Sequence, residues 1–464
     1  MPLPDLIGLP AHELSRKIVA RELSPVDVVE AFLSRIEVRE PQLQAFVEVY
    51  ADDARQAAHG ADAAIRSGHS VGPLHGIPIA LKDLIEIEGK VVTGGSEVWR
   101  ARLAQRTATV VRRLVSQGMI VLGKTHTVEF AMGGWGTNTR RGTPWNPWDL
   151  KRKRTPGGSS SGSGVAVAGS LAPWAVGSDT GGSVRLPASW CGITGLKTTI
   201  GRVSTYGILP LSPTLDTPGP MTRSVEDAAL LYVAMQGADP LDPRTERLPY
   251  KDPMPQLRRG VRGLRLARMP EAERQYASAD VLAAYDESLA ELEHLGAEIV
   301  SIRLPFFFAD LAAFNLRIMA VESYANLREL IDDENSPLDP HVRPRIAAGR
   351  GVSAQLYVEA LRVRDEMKQK FADAMQGIDA LLTPTTMTTA VPLDEVDQTT
   401  APAHYTRFGN FLDLCALSIP NGIAPDGLPT SLQIACRAYD EATALRIGWA
   451  YEARTDWHSK RPPE

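Results

Sequence analysis

The chain has 464 residues, 44% of them hydrophobic and 23% charged, with a net charge of −5. That length exceeds the usual single-domain range and carries enough apolar residues for a large core. The acidic balance leaves no electrostatic footprint for nucleic acid. Three cysteines, Cys191, Cys415 and Cys436, without CxxC spacing argue against a disulfide framework or a zinc site, and fit a reducing compartment. The N-terminus lacks a charged stretch followed by an apolar run, and no apolar run reaches the ~18–20 residues a membrane span needs. The expected location is therefore cytoplasmic, with no membrane partner.

Residues 11–36 show helical spacing, and Ser24-Pro25 reads as a serine cap with proline at the first helical position. An alanine-rich amphipathic helix is expected from Tyr50 to Ser67. Leu74–Leu81 is short, apolar and bounded by Gly and Pro, which predicts a buried strand. A helix over Thr107–Gly118 and a strand over Met119–Leu122 follow. Residues 130–164 are dense in Gly, Ser, Thr, Asn, Pro and Trp and read as loop, then Val165–Leu171 as a small-residue helix. Gly and Pro punctuate 200–220, and Ser224 opens a helix with a capping signature. Beyond residue 240, strands are predicted at Leu264–Ala267, Glu298–Ile302 and Ile378–Leu382, and helices at Ser278–Leu295, 310–332 and 353–376. Such alternation predicts an α/β fold with a sheet covered by helices.

Two glycine-serine segments carry the chemistry. In Asp179-Thr180-Gly181-Gly182-Ser183 a serine follows two glycines, where a tight turn can aim successive N–H groups at one point. Ser183 would be a nucleophile there, with the N–H groups of Thr180, Gly181, Gly182 and Ser183 as an oxyanion hole. The alternative is an ordinary glycine turn with Ser183 as a cap. The run from Gly157 to Gly164 lacks the lysine-serine/threonine ending of a phosphate loop and the spacing of a dinucleotide loop. One of its serines would instead pass protons between Ser183 and a base. Lys82, ending an apolar strand, is the candidate base, because desolvation lowers a lysine pKa toward neutrality; alternatively it snorkels and pairs with Asp83 or Glu86. His75 and His126 read as core or loop histidines. Lys151–Arg154 reads as a solvated loop, and no metal-ligand spacing is present.

Five segments in order resemble the amidase signature family: PLHGIPIALKD (73–83), GKTHTVEFAMG (123–133), NPWDLKRKRTPGGSSSGSGVAVAGS (146–170), GSDTGGSVRLPASWCGITGLKTT (177–199) and GRVSTYGILPLSPTLDTPGPMTRSVEDAA (201–229). The likeness runs from about residue 10 to 235 and more weakly through 427–441. It implies a Ser–cis-Ser–Lys triad whose bridging serine lies 24 positions before the nucleophile, the separation of Ser159 and Ser183. The carry-over is Ser183 as nucleophile, Ser159 as the bridge following a cis peptide, and Lys82 as base. It also implies one large domain over 1–464: a helical N-terminal region (1–70), a signature core (71–235) and a C-terminal α/β portion (236–464), with a mixed sheet between helical layers.

Departures from the family pattern fall elsewhere. Ser161 stands where glycine is usual, Thr198 replaces a proline, His126 and Glu129 replace an asparagine-acidic pair, and Trp135 sits where small polar residues are frequent. Leu414–Pro420 also differs from the usual pattern. Met132, Gly133, Gly134 and Trp135 are taken as substrate-binding. Trp135, Phe130, Met132 and the Phe306–Phe308 run suggest a small apolar or aromatic amide as substrate. The expected activity is hydrolysis of a linear amide through an acyl-enzyme, without metal or cofactor; homodimerisation is compatible with the sequence. Alternatives are a carbamate or urea hydrolase of the same mechanism, or the A subunit of a tRNA-dependent amidotransferase, which would work with partner subunits. Trp135 and Leu414–Ile419 weigh against the latter.

Overall fold

The computed structural model describes residues 6–246 and 248–464. Helix starts follow the sequence chemistry. Ser24 Oγ accepts the Val26 N–H at 3.1 Å ahead of Pro25, opening the helix Pro25–Leu43. Ser224 Oγ accepts from Asp227 N at 3.2 Å and opens Val225–Met235. The helical pattern over 11–36 divides into Ala11–Val19 and Pro25–Leu43, with Arg21 in the left-handed region at φ 61° between them. The alanine-rich helix spans Ala51–Arg66, and Thr107–Gly118 narrows to Thr109–Ser116. Downstream helices run over Ala279–His294, Phe308–Asp332, Ala354–Ala374 and Glu441–Glu452.

One mixed sheet of eleven strands is the frame. In chain order they are β1 (Phe46–Val49), β2 (Pro78–Lys82), β3 (Ile120–Thr125), β4 (Ala175–Asp179), β5 (Thr194–Lys197), β6 (Thr217–Thr222), β7 (Arg265–Arg268), β8 (Glu298–Ser301), β9 (Ala380–Pro384), β10 (Cys415–Ile423) and β11 (Pro429–Cys436). The spatial order is β1-β3-β2-β4-β6-β5-β10-β11-β9-β7-β8. β3, β2 and β4 run parallel, as do β9, β7 and β8; the strands between are antiparallel. The α/β expectation holds. Strands β1, β4, β5, β6, β10 and β11 lie outside the periodicity reading. β6 carries Pro218 and Pro220, residues that normally mark an edge because they lack an N–H. β6 nonetheless sits centrally: it pairs with β4 along its length, whereas its β5 pairing involves only Met221 and Thr222.

Two buried clusters flank this frame. One gathers Val28, Phe32, Ile79, Leu81, Ile120 and Trp174 in the first half of the chain, the other Leu266, Tyr285, Phe308, Phe408, Leu417 and Leu432 in the second. The helix Val225–Met235 belongs to both, giving Leu231 and Met235 to the first and Val225, Ala229 and Tyr232 to the second. A helix apolar all round is one buried all round. Among the described residues no helix is long and apolar enough to cross a membrane, and the three cysteines are buried and free.

Candidate active site

Parallel pairing of β2 with β4 aligns Ala80 with Ala175 and Leu81 with Val176, so both strands end at one edge. That edge receives Lys82 from β2 and Ser178 and Asp179 from β4. Carboxyl ends of parallel strands are where α/β sheets place their ligands. Behind them lies the helix Ser161–Ala168, built of small residues because it runs against backbone: a Cβ on Gly162 would collide with Ala45 O. Its approach places Ser159, just upstream, under the strand ends.

Lys82 is 0% exposed. Its Nζ donates to Ser159 Oγ at 2.7 Å and Ser178 Oγ at 2.9 Å. The snorkelling alternative fails, because the two acids are engaged elsewhere. Asp83 accepts the Thr93 N–H at 3.2 Å, and Glu86 pairs with Arg102 and Arg106 at 3.1 and 2.6 Å. Burial lowers the Lys82 pKa to about 7, opposed in part by the charges of Asp216 and Asp179. A lysine so shifted is substantially neutral near pH 7 and accepts a proton. The Gly158–Ser159 peptide bond is cis.

The turn after β4 is organised by Asp179. Its carboxylate accepts from Gly182 N at 2.7 Å and Val184 N at 3.0 Å, and from the Arg185 guanidinium at 3.0 Å on each oxygen. Burial alone would raise its pKa, but the Arg185 charge and hydrogen bonds hold it well below the usual carboxylate range. Arg185, also 0% exposed, reaches on to Thr406 O, Gln433 Oε1 and Asn410 Oδ1 at 2.9, 2.8 and 2.7 Å. The Gly182 N–H, expected among the oxyanion donors, is thus engaged by Asp179. Thr180 Oγ1 in turn donates to Asp216 Oδ1 at 2.5 Å.

Ser183, Gly181 and Thr180 face a chamber of about 410 Å³. Met132, Gly133 and Gly134 line it too. Trp135 does not: its ring stacks on Trp190 at 5.5 Å, and its Nε1 donates to Thr400 O at 3.1 Å. Phe130 packs edge-on against Trp99, whereas Phe306 stacks on Phe371 and Phe308 on Phe408. The aromatic residues thus build walls and core rather than the lining, whose apolar part is Met132, Leu186, Leu211, Leu316 and Met319. A second space of about 230 Å³, lined by Ser178, Thr180 and Asp216, lies behind the turn.

Sequence reasoning passed over Ser178, Asp179, Asp216, Arg345 and Arg407. The first two stand inside the motif that flagged Ser183, and their strand position was the available signal. Arg345 and Arg407 line the chamber from the far half of the chain, where no motif points to them.

A desolvated lysine hydrogen-bonded to serines, beside a glycine turn and a serine that line a chamber, is equipment for acyl transfer from a serine. The model of the family described as amidase matches residues 27–445. The chain is 38% identical to the A subunit of glutamyl-tRNA(Gln) amidotransferase from Synechococcus sp. (strain JA-2-3B'a(2-13)), covering 97% of this chain and 92% of that one. It superposes with TM-score 0.87 and 30% identity on native peptide amidase from Stenotrophomonas maltophilia, with 98% of each chain covered. A chain from the vestigial protein complex that reveals the evolutionary origins of an s-triazine catabolic enzyme gives TM-score 0.91 at 30% identity, covering 98% of this chain and 100% of that one. The chain belongs to the amidase family, the amidase signature enzymes, and is a hydrolase of carbon–nitrogen bonds.

Proposed function

We propose that the chain hydrolyses a small amide through an acyl-enzyme on Ser183. The observation that carries this is the 2.7 Å contact from buried Lys82 to Ser159, beneath a chamber that Ser183 faces. Ser159 Oγ gives its proton to neutral Lys82 as it takes the proton of Ser183. Ser183 Oγ then bonds to the carbonyl carbon, and the oxyanion accepts hydrogen bonds from Thr180, Gly181 and Ser183 N–H. The C–N bond breaks as Ser159 protonates the leaving nitrogen and recovers a proton from Lys82. Water repeats the sequence: its oxygen bonds to the acyl carbon, the ester breaks, and Ser183 regains its proton. One amide and one water give one carboxylic acid and one amine or ammonia.

A second reading, the glutamine-hydrolysing A subunit of an amidotransferase, is favoured by the identity to proteins of that name. Both share the acyl-enzyme and differ in substrate and partners. Purified single chain assayed on aliphatic amides, anilides, carbamates and glutamine, with peptide mapping of the acylated serine, separates them. Turnover of free amides with the acyl mass on Ser183, lost in Ser183→Ala, is the expected result. Retained turnover in Ser183→Ala sinks the mechanism, and activity on glutamine only with added subunits moves the assignment to the second reading.

A further inference from the structure

Arg407 opens the short helix Arg407–Phe411, and its side chain lines the same chamber as Ser183. Its Cγ lies 3.5 Å from where a Cβ on Gly181 would stand, so it flanks the turn that supplies the oxyanion donors. Among the described residues the guanidinium has no hydrogen bond and no carboxylate within 4.0 Å. Burial and the neighbouring Arg345 charge lower its pKa to about 10, and no acid opposes them.

Several other enclosed arginines are matched. Arg185 meets Asp179 at 3.0 Å, Arg202 lies 3.5 Å from Glu441, and Arg364 pairs with Asp413. Arg345, the second guanidinium of the chamber, donates to Met132 O at 3.1 Å and to Gln398 O. Arg407, which faces the chamber, has no such partner among the described residues. Beside it, Asn315 is 0% exposed with neither side-chain polar atom hydrogen-bonded, and its Oδ1 lies 3.8 Å from the same Gly181 position. Buried polar groups left without partners are costly, and a guanidinium that faces a chamber without an internal partner is free to take a counter-charge from a ligand. Among the described residues no aspartate or glutamate lines the chamber.

We propose that the amide substrate carries a carboxylate, which Arg407 binds, and carries no ammonium group. Arg is suited to this because its planar fork matches a carboxylate with two parallel hydrogen bonds. An ammonium in the same chamber would find two guanidinium charges and no acid. The apolar lining then holds the short chain between the carboxylate and the scissile carbonyl. This inference rests on the amide-hydrolase reading above and names its substrate class.

The test compares ω-amido carboxylates of three to five carbons (malonamate, succinamate, glutaramate) with their neutral isosteres propionamide, butyramide and valeramide, and with asparagine and glutamine. Wild-type kcat/KM is expected to be at least tenfold higher for one ω-amido carboxylate than for its neutral isostere, and higher for glutaramate than for glutamine. Arg407→Met should lower the anionic-to-neutral ratio at least tenfold, and Arg407→Lys should restore part of it. Binding is read separately: Ser183→Ala titrated calorimetrically with malonate, succinate and glutarate should bind one of them, and the Ser183→Ala/Arg407→Met chain should not. Neutral amides or glutamine preferred by wild type, with no dicarboxylate bound, overturn the inference while leaving the serine mechanism standing. Arg407-dependent dicarboxylate binding without amide turnover supports the carboxylate site and overturns the hydrolase reading instead.

Discussion

Replacing Lys82 by methionine should produce a dead but sturdier protein. The side chain has a pKa of 10.5 in the unfolded chain and about 7 in place. That difference, at ~1.4 kcal/mol per unit, makes the buried ammonium cost about 4–5 kcal/mol at pH 7. Methionine keeps most of the stem and removes the charge, but forfeits the hydrogen bonds to Ser159 and Ser178, worth ~1 kcal/mol each. The balance is a stabilisation of ~2–3 kcal/mol at pH 7. Its pH dependence follows from the direction of the shift. Between pH 7 and 10.5 the unfolded wild-type chain holds a proton that the folded one has released, so wild-type stability rises with pH across that window. The variant lacks this term. Its advantage is full at and below pH 7, shrinks by ~1.4 kcal/mol per pH unit above it, reaches zero at about pH 9 and reverses beyond, as the charge cost fades and the lost hydrogen bonds remain. Urea midpoints of the two proteins measured side by side at pH 6, 7, 8 and 9, with amide turnover, test this. A chain of this size need not unfold in one step, so the trend in the difference carries the weight rather than an absolute free energy. A variant less stable than wild type at pH 7, by an amount that does not change with pH, would refute the desolvated-base assignment.

Three further outcomes are expected. With a substrate that does not titrate, kcat/KM should rise tenfold per pH unit on the acid side and level off above about pH 7, as Lys82 becomes neutral; a flat profile from pH 5 to 9 counts against it. Asp179→Asn leaves buried Arg185 without its counter-charge and should destabilise the fold by about 3–5 kcal/mol, read as a lowered thermal midpoint together with lost activity. Gly182 has φ 134° and a Cβ there would collide with Thr406 Oγ1, so Gly182→Ala should lower kcat at least tenfold, measured as the rate of acyl-enzyme formation; undiminished turnover would show that the turn tolerates distortion.

The sequence displayed the proposed reacting groups more openly than the chamber around them, for a physical reason. Lys82, Ser159 and Ser183 sit where glycines and apolar strands impose short-range constraints, and such constraints leave spacing behind them. That Gly182 N–H is taken by Asp179 was not legible, because where the Asp179 carboxylate points is something spacing does not encode. β6 escaped because two prolines outweigh the signal of a central strand until its neighbours are known. Phe130, Trp135 and Phe308 looked like substrate contacts because aromatic residues serve cores and pockets equally well. Arg345 and Arg407 show no local pattern at all; they matter because helices from the second half fold over the turn.

The partners of Arg185 are spread widely along the chain, and that has a consequence for biosynthesis. Its ion-pair partner Asp179 is made almost simultaneously, yet Thr406, Asn410 and Gln433 emerge more than 200 residues later. At roughly 5–20 residues per second, the nascent chain waits on the order of 10–50 s before that cluster can close. The sheet repeats the delay, since β5 gains its neighbour β10 only when residues 415–423 appear. Throughout this interval the nucleophile turn lacks three of the contacts that fix it. Ribosomes that stall before Gln433 would therefore release chains with an unfinished centre, and the turn around Ser183 gains its full set of contacts only after Gln433 has been made.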